Sequence, residues 1–132
     1  HVARRIRPAL DRGEWVISDR FVDSSRAYQG GAGGLGDEAI TALHEIGSGG
    51  LRPDLVILLE AAEEAVAARL RARDGGNSDA IGGRDTSYHR GVAAAFRRLA
   101  ESDPQGFAVI DATGAADEVH GRVMAAMAPL LA

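Results

Sequence analysis

The chain contains no cysteine and no lysine. The first absence excludes disulfides and thiolate metal sites. The second makes all fifteen basic residues arginine, so nothing in these 132 residues can serve as the lysine of a phosphate-binding loop. No apolar run approaches the roughly 20 residues that a membrane span needs. The first residues lack the apolar stretch and small-residue cleavage site of a secretory signal. A formal charge of −4 argues against a surface that coats nucleic acid, because such domains gather arginine and lysine on one face. What is present fits one globular domain: 132 residues, 45% apolar, 26% charged. The expectation is a cytoplasmic protein without nucleic-acid or membrane partners.

The order of elements reads helix, strand, loop, helix, strand, helix, loop, helix, strand, helix. The chain opens at His1, inside a helical pattern, HVARRIRPALDRG. Trp15–Asp19 (WVISD) reads as a first strand after the turn at Arg12-Gly13, with Trp15 as a core residue. A glycine-rich loop, Gln29–Gly36, leads to a helix over about 37–46, with Asp37 as its N-cap and glycines 47–50 at its end. Asp54–Glu60 (DLVILLE) is almost continuously apolar, which suits a parallel strand. The helix after it, AAEEAVAARLRARD, is acidic at its start and arginine-rich at its end, as the helix dipole favours. A polar, glycine-rich stretch over about 74–85 reads as a mobile loop. The next helix, TSYHRGVAAAFRRLAES, places Tyr88, Val92, Ala95, Phe96 and Leu99 on one face. Phe107–Ala112 is a third strand, and a last helix runs over about 116–130.

Alternating strands and helices predict an α/β fold with a parallel sheet and right-handed crossovers. Ligands of such sheets bind beyond the carboxyl ends of the strands. Those ends carry Asp19-Arg20, Glu60 and Asp111-Ala112-Thr113. A guanidinium at a strand end can grip phosphate oxygens in a bidentate fashion, and the preceding carboxylate can orient a metal-bound water. A salt-bridged pair at a strand end is the competing reading of that dipeptide. The residues that follow add an acceptor's inventory: Ser25 and Gln29, four apart on one side of a helical turn, and the phenol of Tyr28 between them. A carboxamide donates and accepts at once, which suits a nucleobase edge; a capping serine and a core tyrosine are the alternatives. His1, His44, His89 and His120 are scattered and lack metal-ligand spacing.

The stretch WVISDRFVDSSRAYQGG resembles the bacterial-type thymidylate kinases, which transfer the γ-phosphoryl group of ATP to dTMP. RIRPALDRG, RPDLVILLE, YHRGVAAAFRRLAESDP and FAVIDA match in the same order, so the resemblance covers essentially all of the chain. It implies a P-loop nucleoside-monophosphate-kinase-like parallel sheet with helices on both faces. It also implies that residues 1–132 are the C-terminal two thirds of the domain, with the first strand, the phosphate loop and the segment closing over dTMP upstream of His1. By position, Arg20 would bind the dTMP phosphate and Asp19 would help order magnesium and phosphate, through water rather than as a direct ligand. Ser25 and Gln29 would face the thymine, and Tyr28 would sit where a ribose 2′-hydroxyl would project. Arg69 would stack beside the adenine of ATP, with Ala112 and Thr113 walling its pocket.

In this resemblance the lid covers about 74–85, and Arg73 and Arg84 are the candidates to reach the transferring phosphoryl group. The lid departs from the family pattern: Ala80 stands where an arginine is usual. The resemblance further implies Mg²⁺ as cofactor, ATP and dTMP as substrates, and a homodimer using the helix after the glycine-rich loop. Two other functions fit the same residues: a kinase for another pyrimidine deoxynucleotide or nucleoside, and a nucleotide-binding module without catalysis. By itself, the 132-residue chain is expected to be inactive and poorly stable, because two apolar strand edges would lack a partner.

Overall fold

The computed structural model describes residues 1–62, 64–66, 68–69 and 86–131. It divides into two compact units, His1–Arg52 with Arg90–Phe96, and Pro53–His89 with Arg97–Ala132.

In the first unit, a helix begins with a π-helical turn, Val2–Ile6, and continues as Arg7–Asp11 (together α1). Its one proline is Pro8, at the start of the segment Arg7–Asp11. A second helix, α2, runs through Val22–Ser25 and then widens into a π-helical stretch, Arg26–Ala32. Helix α3, Asp37–Ser48, starts after Gly36, whose φ is +83°. It ends at Gly49, held in the left-handed conformation (φ +63°) with its N–H bonded to the Glu45 carbonyl. Only glycine enters that conformation without steric cost. The Arg7 side chain caps the same end by donating to the Ser48 and Gly49 carbonyls. Ile6, Val22, Ala27, Ile40, Val92 and Ala95 form the buried apolar set of this unit.

The second unit holds a sheet of two parallel strands, β1 (Val56–Glu60) and β2 (Phe107–Asp111), paired from Val56↔Phe107 to Glu60↔Asp111. Parallel pairing demands a long crossover, and the residues between the strands include helical positions 64–66 and 68–69 and helix α4, Thr86–Ser102. Val92 and Ala95 of α4 are buried, and Tyr88, Phe96 and Leu99 are half-buried, which matches the apolar face read from the sequence. Helix α5, Ala116–Leu131, packs on β2. It opens with a capping interaction in which the Ala115 N–H donates to the Glu118 carboxylate at 2.9 Å. The result is an α/β fold with a parallel sheet.

Three local expectations fail. Trp15–Asp19 forms no strand: residues 15–18 have no regular structure and Asp19 lies in a bend. A strand exists only through a neighbour that takes up its N–H and C=O groups, and among the described residues none pairs with this segment. Trp15 is accordingly no core residue: it is 58% exposed, and Ile17 is 88% exposed. Asp37 is not the N-cap of α3, since Gly36 holds that position; the Asp37 carboxylate is occupied by Arg26 instead.

Candidate active site

The strongest sequence candidates, Asp19 to Gln29, all lie in the first unit. Asp19 and Arg20 are exposed just ahead of α2. Arg20 has φ +68°, the one left-handed non-glycine conformation among the described residues. Such a conformation costs a β-carbon-bearing residue about 1–2 kcal/mol and persists where its surroundings hold it. Here the Ser18 hydroxyl donates to the Arg20 carbonyl oxygen at 2.9 Å and braces the turn. The turn carries the Arg20 guanidinium over the Tyr28 ring, with Cζ 5.0 Å from the centroid. Its Nη2 lies 3.4 Å from the Tyr28 hydroxyl. A cation over an aromatic face is attracted by the ring quadrupole, so Tyr28 aims Arg20 without neutralising it.

Tyr28 is itself fixed. Its ring is half-buried and meets Phe96 edge-on, with centroids 6.2 Å apart. Ser25 and Gln29, in contrast, are exposed. The short stretch therefore presents a hydroxyl, a carboxamide, a phenol and a guanidinium together, with the carboxylate of Asp19 next to the guanidinium in the chain. Gly33 ends this block under close constraint: a β-carbon there would stand 2.7 Å from the Gln29 carbonyl oxygen and 2.8 Å from that of Tyr28.

Behind the block lies a charge network that sequence reading did not find. Asp23 is buried, and Arg26 binds it through Nη1 at 2.9 Å while gripping Asp37 through Nε and Nη2 at 2.6 and 2.8 Å. Arg52 adds Nη1 at 3.6 Å from Asp23. These contacts, the Asp37 bond first, raise the Arg26 guanidinium above its ordinary value, and the Arg26 bond holds Asp37 below the usual carboxylate range. The Asp23/Arg26 pair, three apart, was a legible signal for a helical ion pair; the reach to Asp37 and Arg52 was not.

In the second unit, Arg69 Nη2 donates to the Ala112 carbonyl at 2.8 Å, so the arginine and the loop assigned to one pocket are in contact. Ala112 is buried and Thr113 exposed. The loop is held from both sides. Thr113 N–H donates to Asp111 Oδ1 at 2.8 Å, and Arg122 Nη1 donates to the Asp111 and Thr113 carbonyls, each at 2.7 Å. The Thr113 side chain first, then its backbone N–H, lowers the Asp111 carboxyl below its ordinary range. Glu60, at the end of β1, is bound by Arg97 at 2.8 Å. Arg73, Arg84 and the segment expected as the lid, about 74–85, lie outside the described residues.

Asp37 and Asp111 give an acid signature. Both have folded-state pKa values below their unfolded ones, so each contributes stability above the unfolded value that is lost as pH falls through the folded value. Thermal unfolding midpoints are expected to hold down to about pH 5 and to fall below about pH 4, near the unperturbed aspartate range. In Asp37→Asn that acid slope is shallower; an unchanged slope would contradict the role of the Arg26 pair.

The family model described as thymidylate kinase matches residues 1–123. The chain belongs to the thymidylate kinase family. Among curated relatives, a thymidylate kinase of Rhizorhabdus wittichii is 50% identical over 131 residues, covering 99% of this chain and 63% of that protein. One from Bradyrhizobium diazoefficiens is 41% identical, covering 96% of this chain and 56% of its own length. One from Symbiobacterium thermophilum is 44% identical, covering 91% and 55%. The chain thus spans somewhat more than half the length of the thymidylate kinases it matches. Membership identifies the fold as that of the P-loop nucleoside-monophosphate kinases.

Proposed function

We propose that the full protein transfers the γ-phosphoryl group of ATP to dTMP, giving dTDP and ADP for dTTP synthesis. In this reading residues 1–132 carry the acceptor site and the residues beside the adenine, and a segment beyond them supplies the phosphate loop. The observation that carries the reading is the Arg20–Tyr28 pair, with Cζ 5.0 Å from the ring centroid, at the head of a block that leaves Ser25 and Gln29 exposed. Family membership supplies the reaction class.

Phosphoryl transfer is mostly positioning and charge neutralisation. Arg20 grips the acceptor phosphate, and Tyr28 holds the guanidinium in place while its ring bounds the sugar where a 2′-hydroxyl would stand. Gln29 pairs with the N3 edge of thymine, and Ser25 lies beside the base. Arg69 and the Ala112-Thr113 loop bound the adenine of ATP. Arg73 and Arg84 are the proposed arginines of the closing segment. Mg²⁺, when bound, neutralises the phosphate oxygens. Magnesium binds through one or two carboxylates with water and phosphate completing its shell. Asp19 fits such a role through water, as an exposed carboxylate. The protein is cytoplasmic and homodimeric in this reading. The outer face of α3, where Leu43 is 64% and Ile46 is 86% exposed, is the proposed dimer surface.

The test is an acceptor screen of the full-length protein with Mg²⁺ and ATP. dTMP is expected to give the highest kcat/KM among dTMP, ribothymidine monophosphate, dCMP and thymidine. Preference for another acceptor would make it a different pyrimidine kinase, and dTMP binding without turnover would make it a non-catalytic module.

A further inference from the structure

Among the described residues Asp23 is the buried charged one, 6% exposed. A carboxylate removed from water is costly unless paired and hydrogen-bonded. Asp23 receives Arg26 at 2.9 Å and has Arg52 at 3.6 Å. Nothing in the proposed reaction uses these groups. Their placement, however, bears on it. Arg26 stands directly after Ser25 and two residues before Tyr28. Its side chain is only 16% exposed and turned toward α3, while Ser25 and Gln29 remain exposed.

The other ties of this block are an edge-on contact between Phe21 at its start and His44 of α3, ring centroids 5.3 Å apart, and backbone bonds at its far end. Leu35 N–H donates to the Gln29 carbonyl and Gly36 N–H to the Gly30 carbonyl, both at 3.0 Å. The backbone bonds anchor one end and the Phe21–His44 contact the other, and the fork acts between them, directly after Ser25. A guanidinium that binds a carboxylate through two parallel bonds fixes the plane of the pair as well as its separation. Asp37 is the first residue of α3, so this fork ties the middle of the block to the start of α3.

We propose that Arg26 is a positioning residue for acceptor recognition: its fork to Asp37, braced by Asp23 and Arg52, sets the rotation of the block that presents Ser25, Tyr28 and Gln29, and thereby the preference for a deoxy sugar. The inference rests on the dTMP-kinase reading. A rotation of the block moves the Tyr28 ring relative to the sugar, and room for a 2′-hydroxyl is the first thing such a movement changes.

Asp37→Ala is the informative variant, because the Asp37 side chain is 53% exposed and its loss leaves the buried Asp23 still paired with Arg26. In the full-length protein, kcat/KM is measured for dTMP and for ribothymidine monophosphate, together with KM for ATP and the unfolding midpoint. The dTMP preference is expected to fall by about tenfold, because small misplacements of positioning groups cost up to two orders of magnitude. KM for ATP stays within about twofold on the same argument. Arg26→Lys, which keeps the charge and loses the fork, shifts the preference the same way; Asp37→Glu restores most of it. A merely structural role would lower the unfolding midpoint and leave the acceptor ratio alone. An unchanged ratio in Asp37→Ala overturns the proposal, as does a wild-type protein that turns over dTMP without preferring it to the ribonucleotide. A wild-type protein without dTMP turnover removes the kinase reading itself.

Discussion

Arg20→Ala is expected to lower kcat/KM for dTMP in the full-length protein by roughly a thousandfold, the upper range for loss of one preorganised group that stabilises transition-state charge. Arg20 is exposed, so its charge is available to a ligand. It is aimed by the Tyr28 ring and hydroxyl, so little ordering is left to accomplish on binding. And it is held in a left-handed turn at φ +68° that an arginine adopts only at a cost. Arg20→Lys is expected to recover only part of the loss, since an ammonium cannot reproduce a planar two-bond grip on phosphate. Arg20→Gly separates function from folding. It removes the guanidinium like alanine does, but relaxes the backbone, so it should be more stable than the alanine variant by about 1 kcal/mol. Equal kcat/KM for wild type and Arg20→Ala would remove Arg20 from the acceptor site.

The second large effect concerns the 132-residue chain by itself. It contains neither a G-x-x-x-x-G-K-[ST] loop nor any lysine, and those backbone amides and that lysine are what hold donor phosphates in this fold. We expect no measurable dTMP phosphorylation from the isolated chain and a broad, weakly cooperative unfolding. The full-length protein is expected to turn over and to unfold sharply. The single tryptophan reports the same difference. Trp15 is 58% exposed in a segment without a pairing partner among the described residues. Its emission should be that of a wet indole in the isolated chain and shift to shorter wavelength when the segment gains a neighbouring strand. An active, cooperatively folded 132-residue chain with a shielded tryptophan would contradict this account.

Elements whose stability is local were legible in the sequence. The helix Thr86–Ser102 announces itself through an apolar face at helical spacing, and Val92 and Ala95 do lie buried. Phe107–Asp111 and Val56–Glu60 are short apolar runs that pair with each other, and the pairing is parallel as the alternating pattern requires. Trp15–Asp19 carries an equally good strand pattern and is not a strand, because a strand is a property of two segments and a sequence window describes one. The site shows the same division. The helical spacing of Ser25 and Gln29 is readable in the sequence, and both side chains are exposed, whereas the Tyr28–Arg20 contact depends on a left-handed turn at Arg20 that no residue type there announces. The Arg26–Asp37 fork joins residues eleven apart across a glycine-rich loop, a separation at which charge pairing leaves no periodic trace.

Every role proposed for the acceptor residues depends on dTMP binding at the Arg20–Gln29 block. A crystal structure of the full-length protein with dTMP tests it most directly. The 5′-phosphate is expected within hydrogen-bond distance of the Arg20 guanidinium, the Gln29 carboxamide on the N3 edge of thymine, and the Tyr28 ring against the sugar C2′. A dTMP molecule bound elsewhere, with Arg20 and Gln29 facing only solvent, would contradict it.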